Sequence, residues 1–246
     1  MINRKKKHGK WYREHVGDFH VKLASKKGYR SRAAFKLLEI QKKDRLILPG
    51  MLVADLGAAP GSWSQILSAS VTSTGKVFAI DLSEMVPIEN VVFVKGDLTR
   101  QSFATELEEF LGAKKFDVVV SDLAPDLSGI HQTDQAKMYN LFEFTVKFVK
   151  SHLKPGGTFL VKVFQGVNIS AVRGTMYEMF NDLTTVHVIG TIMMHQALNT
   201  KTFPRDFSIN RDNKHFVDDT FTNPLQLTKP GLSAMSISEM TNIPRA

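Results

Sequence analysis

The stretch MLVADLGAAPGSWSQIL, at residues 51–67, constrains the fold of this chain more than any other. It starts with a short apolar run that suits a buried strand of a parallel sheet. Small residues follow between Gly57 and Gly61, and they allow the backbone to approach a ligand closely. Ser62 or Ser64 is expected to cap the helix that comes next. The stretch therefore predicts a strand, a tight glycine-rich turn and a helix, as in the first βα unit of a nucleotide-binding fold.

The glycine-rich turn differs from two common phosphate-binding loops. Its spacing does not match G-x-G-x-x-G, and no Gly-Lys-Ser/Thr follows it. The turn also contains no lysine or arginine that would cradle a phosphate. A nucleoside without phosphates is therefore the expected ligand, and S-adenosylmethionine fits this description. A dehydrogenase of the Rossmann class is correspondingly disfavoured.

Strand and helix patterns alternate through most of the chain, and this alternation predicts an α/β fold. Because the strands are apolar, we expect a mostly parallel sheet with helices on both faces. The expected strands are 51–56, 76–81, 91–95, 116–121, 158–163 and 185–189. The expected helices are 11–27, 31–43 (with Ser31 as its N-cap), 62–70, 101–111, 134–152 and 168–181. No period is evident after Gly190, so the expected divisions are a basic arm and helix at 1–30, a central domain at 31–190 and a divergent extension at 191–246.

The formal net charge of +8 is unevenly distributed along the chain. Residues 1–50 carry 15 Lys/Arg and 4 Asp/Glu, a net charge of +11, whereas the remainder carries 17 and 20, a net charge of −3. A positive field in the first fifth of the chain favours a polyanionic partner, with a nucleic acid preferred to a membrane. The alternative is a solvated basic arm that only aids solubility.

Several classes of protein are disfavoured by composition. The chain has no cysteine, so disulfides and thiolate metal sites are excluded. No apolar run approaches the roughly 18 residues of a membrane span, and the basic N-terminus lacks the apolar segment of a secretory signal. The 8 histidines show no paired spacing, so we expect no metal site. A protein of the bacterial cytoplasm is the expectation, and an organelle is the alternative.

Acidic residues follow three successive predicted strands. Asp55, Asp81 and Asp97 would meet at the carboxyl edge of a parallel sheet, where ligands bind in such folds. Their carboxylates could accept hydrogen bonds from amine, ribose hydroxyl and adenine N–H groups. A single aspartate at such a position is often only a turn or cap residue, but three in register favour a ligand site.

A lysine and a further aspartate follow the same rule. Asp122 comes at the end of the fourth predicted strand, and Lys162 lies within the apolar fifth strand. A buried charge is costly unless it is paired, so Lys162 is either satisfied by a carboxylate or poised as a base. Lys36, on a helix beside Ala33 and Ile40, would on its own be interpreted as a lysine that reaches solvent.

Five segments containing these residues resemble the FtsJ family of ribosomal-RNA 2′-O-ribose methyltransferases. They occur in order over roughly residues 10–185, and they are KKGYRSRAAFKLLEI, PGMLVADLGAAPGSWSQ, GDLTRQS, VVVSDLAPDLSG and LKPGGTFLVKVFQG. The resemblance implies a Rossmann-like, class I S-adenosylmethionine-dependent methyltransferase. The implied catalytic set is Lys36, Asp122, Lys162 and Glu239. The implied cofactor contacts are Gly61, Trp63, Asp81, Asp97 and Asp122, with Asp55, Gly57 and Pro60 shaping the loop.

The implied reaction is methylation of a uridine 2′-hydroxyl in the A-loop of large-subunit ribosomal RNA. Lys162 would accept the hydroxyl proton or orient the hydroxyl, and Lys36 would hold the ribose. The basic N-terminal region would bind the large ribosomal subunit, and the expected state is a monomer. Two alternatives remain: a 2′-O-methyltransferase of transfer RNA, and a non-catalytic RNA-binding ribosome-assembly factor. Glu239 follows an insertion after Val188 that the family lacks, although Lys229, Pro230 and Ser233 resemble the spacing of its last segment.

Overall fold

A seven-stranded sheet with helices on both faces forms the body of the chain. The computed structural model describes residues 19–163, 169–180, 183–188 and 191–195. The strands are β1 (Leu52–Leu56), β2 (Lys76–Asp81), β3 (Val91–Lys95), β4 (Phe116–Ser121), β5 (Leu153–Val163), β6 (Thr184–Val188) and β7 (Thr191–His195). The helices are α1 (Phe19–Lys26), α2 (Ala34–Asp44), α3 (Ser62–Val71), α4 (Gln101–Leu111), α5 (His131–His152) and α6 (Ile169–Met179). Among these helices, none combines the length and the apolar character needed to span a membrane.

The strand order in the sheet is β3-β2-β1-β4-β5-β7-β6. Strands β1 to β5 pair in parallel, and β7 runs antiparallel to both β5 and β6. The chain order reverses between β1 and β4, and this switch point opens a crevice at the carboxyl ends of the strands. The predicted α/β fold with a mostly parallel sheet is confirmed.

Alternation of side chains along each strand separates two packed layers. In β1, Ala54 and Leu56 pack in the layer that contains α4, α5 and α6, whereas Val53 packs against α2 and α3. In β5, Val161 belongs to the first layer and Leu160 to the second. Since side chains two apart share a face, Lys162 lies on the α2 side of the sheet.

The sheet extends beyond residue 190, where the sequence analysis ended the central domain. Strand β7 inserts between β5 and β6, and Met193 and Met194 are both 0% exposed. This strand is only five residues long, follows β6 closely and has polar residues, Thr191 and His195, at its ends, so its pattern gave no signal. The predicted boundary at 190 was therefore too early.

Neither α2 nor α3 has the serine N-cap that was predicted for it. Helix α2 begins at Ala34, and Ser31 is not its N-cap. Instead, Ser31 Oγ accepts the Ala33 N–H at 3.2 Å and donates to Ser62 Oγ at 2.9 Å. Neither Ser62 nor Ser64 caps α3, since Gly61 occupies the cap position without a side-chain hydrogen bond. Helix α5 starts three residues before its predicted start at 134, and β5 starts five residues before its predicted start at 158. Residues 11–18 of the first predicted helix lie outside the described residues.

Candidate active site

Lys162 and Asp122 form an ion pair at the carboxyl end of the sheet. The Lys162 ammonium lies 2.6 Å from Asp122 Oδ1 and donates to the Asp122 carbonyl oxygen at 2.7 Å. The side chains are only 9% and 17% exposed, so the pair is largely shielded from water. Of the two alternatives that the sequence left open for Lys162, pairing with a carboxylate or a role as a base, the ion pair corresponds to the first. Two contacts to one residue also fix the direction of the ammonium.

Lys36 lies in the electrostatic field of the same pair. It projects from the first turn of α2, and burial lowers the pKa of its ammonium. The nearby carboxylate of Asp122 acts in the opposite direction, while the positive charges of Lys162 and Arg32 lower the pKa further. The structure therefore brings together Lys36, Asp122 and Lys162 from α2, the end of β4 and the end of β5.

The glycine-rich turn depends on two glycines with left-handed backbone angles. Gly57 has φ +79°, and a Cβ there would lie 2.9 Å from both the Cα and the N of Leu123. Gly61 has φ +104°, and a Cβ there would meet Arg30 and Met85. The turn is consequently packed against the segment that follows β4, next to Asp122. No larger residue fits at either glycine without a shift of its neighbours.

Asp81 is the last residue of β2 and Asp97 follows β3, and both hold the turns beside them. Asp81 Oδ2 accepts the Ala59 N–H at 2.9 Å, and its Oδ1 accepts the Ser83 N–H at 2.7 Å. Asp97 Oδ1 accepts hydrogen bonds from the Thr99 N–H and hydroxyl, and the hydroxyl bond is the main reason that the Asp97 pKa is lowered. Each carboxylate oxygen has two lone pairs, so both groups retain capacity for a ligand.

Asp55 lies behind the turn rather than at its surface. Its side chain is 0% exposed, and Oδ2 accepts the Ser64 hydroxyl at 2.6 Å. Burial raises the pKa of this carboxyl to about 7, and Oδ1 has no hydrogen-bond partner among the described residues. Asp55 therefore acts on the site through the turn, as a support for the start of α3.

Trp63 is likewise buried. Its ring is 2% exposed, and Nε1 donates to the Ala33 carbonyl oxygen at 2.8 Å. The ring therefore joins α3 to the start of α2. The backbone N–H of Trp63 lies in the first turn of α3, where N–H groups have no partner within the helix.

Three further features were not identified from the sequence. Arg30 and Gln65 join the segment before α2 to the glycine-rich turn, and their contacts are described below. His195 Nε2 lies 2.9 Å from Asp44 Oδ2 and so connects the end of β7 to the end of α2. A small, mostly apolar cleft lies beside Lys162, lined mainly by α5 and the end of β5. The contacts of Arg30, Gln65 and His195 join residues that are far apart in the chain, so they have no local sequence signal.

Glu239 lies outside the described residues, so its proximity to Lys36, Asp122 and Lys162 stays a prediction.

The sheet order, the glycine-rich turn at the switch point and the Lys–Asp–Lys cluster define a Rossmann-like methyltransferase. The comparisons with known proteins agree: residues 29–188 match the family described as FtsJ-like methyltransferase. The chain belongs to that family.

Relatives and a solved structure show the same likeness. The chain is 47% identical over 182 residues to "Ribosomal RNA large subunit methyltransferase E" of Chromobacterium violaceum, covering 74% of this chain and 89% of that protein. It is 44% identical over 185 residues to the protein of the same name from Neisseria meningitidis serogroup C, covering 75% and 90%. A crystal structure described as a ribosomal RNA methyltransferase from Plasmodium falciparum matches with a TM-score of 0.63 and 29% identity, covering 69% of this chain and 98% of that one.

Proposed function

We propose that this protein transfers a methyl group from S-adenosylmethionine to the ribose 2′-hydroxyl of a uridine in the A-loop of large-subunit ribosomal RNA. The observation that carries the proposal is the convergence of Lys36, Asp122 and Lys162 beside the glycine-rich turn. Asp122 is central to it, since it pairs with Lys162 and directly precedes Leu123, which packs against Gly57.

The residues around the turn fit S-adenosylmethionine. Gly57 and Gly61 leave the backbone open to a ligand, and the side chains of Asp81 and Asp97 offer carboxylate acceptors for hydroxyl and amine groups. Arg30 comes near the turn, but its guanidinium donates to backbone carbonyls and so does not form a phosphate cradle. When bound, S-adenosylmethionine supplies an electrophilic methyl group on a sulfonium.

The methyl carbon would bond to the 2′-oxygen as its bond to sulfur breaks, which would leave S-adenosylhomocysteine, and the hydroxyl proton would pass to a neutral lysine of the cluster or to water. The protein's part in the reaction is to orient the 2′-hydroxyl and to assist the loss of this proton. Lys162 is held by Asp122 in one direction, so it can donate to the hydroxyl oxygen and turn a lone pair toward the methyl group. Lys36 holds the ribose, and its lowered pKa makes its neutral form more accessible than that of a free lysine. Lys162 itself could accept the proton only in its neutral form, and a neutral amine would no longer form the ion pair with Asp122. We expect Glu239 to complete the set.

Two observations support ribosomal RNA as the substrate. The bacterial relatives described above carry names that specify the large ribosomal subunit, and this chain spans most of their length. The net charge of +11 in residues 1–50 suits a polyanion, and we assign the binding of the subunit to this region. We further propose that the protein acts as a monomer in the cytoplasm.

The proposal is tested with S-adenosylmethionine labelled in the methyl group. The protein is incubated with large ribosomal subunits that lack the modification and, separately, with free transfer RNA. We expect label in large-subunit RNA at a single linkage that resists alkali, because a 2′-O-methyl group blocks alkaline cleavage.

The other outcomes discriminate between the alternatives. Label only in transfer RNA would retain the chemistry and contradict the ribosomal substrate. Cofactor binding without label in any RNA would favour a non-catalytic assembly factor. If alkaline hydrolysis of the large-subunit RNA releases the label in single nucleotides, the methyl group is not on a 2′-oxygen, and ribose methylation is contradicted.

A further inference from the structure

The segment before α2 is joined to the glycine-rich turn and the start of α3 by several side-chain hydrogen bonds. Gln65, in α3, donates from Nε2 to the Gly28 carbonyl at 3.0 Å and accepts the Arg30 N–H through Oε1 at 3.0 Å. Ser31 and Trp63 add the bonds to Ser62 and Ala33 described above. The basic N-terminal region is therefore attached to the cofactor turn at the point where it enters the domain.

The Arg30 guanidinium connects two loops on either side of the predicted cofactor site. Nη1 donates to the carbonyl oxygens of Pro60 at 3.0 Å and Val86 at 2.7 Å, and Nη2 donates to that of Pro87 at 3.2 Å. Pro60 lies in the glycine-rich turn, whereas Val86 and Pro87 lie in the loop that follows β2 and Asp81. One planar group with several donors thus fixes the spacing between these loops.

The turn is shaped to admit this arginine. A Cβ on Gly61 would lie 2.5 Å from Arg30 Nη1 and 2.6 Å from Met85 Sδ. A glycine at 61 therefore serves the approach of Arg30 as well as the backbone conformation. Burial lowers the pKa of Arg30, which shows that the group has exchanged part of its hydration for these contacts.

We propose that Arg30 is a positioning residue for S-adenosylmethionine: it holds the glycine-rich turn and the loop after β2 at the separation that the cofactor requires. The proposal rests on the proposed function above, and it assigns to a residue of the basic N-terminal region a role that is not RNA binding. Because Arg30 donates inward to carbonyl groups, it contributes to cofactor affinity without being a phosphate contact.

The test measures S-adenosylmethionine and RNA affinity separately for wild type, Arg30→Lys and Arg30→Ala. Arg173→Lys and Arg173→Ala are the matched controls, since Arg173 is exposed on α6 and its guanidinium donates to Thr185 Oγ1. A lysine keeps the charge but cannot reach three carbonyls, so both Arg30 variants should weaken cofactor binding by about tenfold or more. KM for S-adenosylmethionine should rise by a similar factor, while kcat at saturating cofactor and the RNA Kd stay near the wild-type values.

Each result decides the question. If both Arg30 variants bind the cofactor as wild type does, the proposal is refuted, and a loss of RNA affinity in those variants would identify Arg30 as a phosphate contact instead. If Arg30→Ala does not fold, Arg30→Lys alone decides by the same criteria. Wild-type protein that fails to bind S-adenosylmethionine would overturn the proposed function itself, and this inference with it.

Discussion

At the scale of single residues, Asp55 is a fully buried carboxyl that joins the end of β1 to the start of α3 through Ser64. Its unusual pKa of about 7 is caused first by burial, and the carboxylates of Asp122 and Asp81 raise it further. The hydrogen bond from Ser64 acts in the opposite direction but does not compensate. Asp55 therefore retains its proton in the folded protein at a pH where it would be ionised in the unfolded chain.

This difference predicts a pH dependence of stability. Between pH 3.8 and about 7 the folded state binds the extra proton, so the contribution of Asp55 to the free energy of unfolding falls as pH rises through this window. An Asp55→Asn side chain does not titrate in this range. The free energy of unfolding of the variant should therefore rise relative to that of wild type as pH increases through the window, by at most about 4 kcal/mol. Urea unfolding at several pH values measures the effect. Parallel stability curves for the two proteins would show that Asp55 is not the cause.

Two of the three clustered residues were accessible to sequence reasoning, because each occupies a position with a local rule. Asp122 follows an apolar strand, and Lys162 interrupts one, so both fall at the carboxyl edge. Lys36 had no rule of its own and was assigned only through the resemblance. Arg30 was missed because its partners lie about 30 and 56 residues away along the chain, and no local pattern reports such contacts.

At the scale of elements, the packing of the glycine-rich turn against the segment after β4 joins the predicted cofactor and catalytic residues. Gly57 makes this possible, because a side chain there would meet the backbone of Leu123 rather than a movable side-chain tip. A displacement of that backbone would be transmitted to Asp122, the next residue along the chain toward β4.

Two glycine substitutions separate backbone strain from this contact. Gly57 and Gly156 have nearly the same φ, +79° and +75°, but a Cβ on Gly156 meets nothing within 4 Å. Gly156→Ala should cost about 1–2 kcal/mol of unfolding free energy, from backbone strain alone. Gly57→Ala should cost about 1–3 kcal/mol more and should weaken S-adenosylmethionine binding as well. Equal effects of the two variants on stability and on cofactor affinity would contradict the role of the Leu123 contact.

Elements were predicted best where Gly, Pro or charged residues mark their ends. The β1, β2, β3 and β4 strands and helix α4 lie at or within a residue of their predicted bounds. Strand β7 was missed because it is only five residues long and follows β6 closely, which leaves no long turn to recognise. The start of α2 was misplaced because Ser31 uses its hydroxyl for Ser62, in another element.

At the scale of the whole molecule, the region of positive excess includes one of the predicted catalytic residues. The positive excess lies in residues 1–50, which include α2 and therefore Lys36. Within the described part of this region, α2 and the segment before it lie beside the glycine-rich turn and the Lys162–Asp122 pair. Under the proposed function, we expect a polyanion bound by this part to lie near the Lys–Asp–Lys cluster.

The measurement that tests the central claim most directly is methyl transfer by Lys162→Ala, with S-adenosylmethionine binding measured on the same preparation. Lys150→Ala, at an exposed position of α5, is the matched control. We predict that Lys162→Ala loses about 100-fold or more of the transfer rate, that its cofactor affinity stays near that of wild type, and that Lys150→Ala behaves as wild type in both assays. A Lys162→Ala protein that binds the cofactor and retains most of its transfer rate would contradict the account, because the ion pair with Asp122 would then have no part in the chemistry.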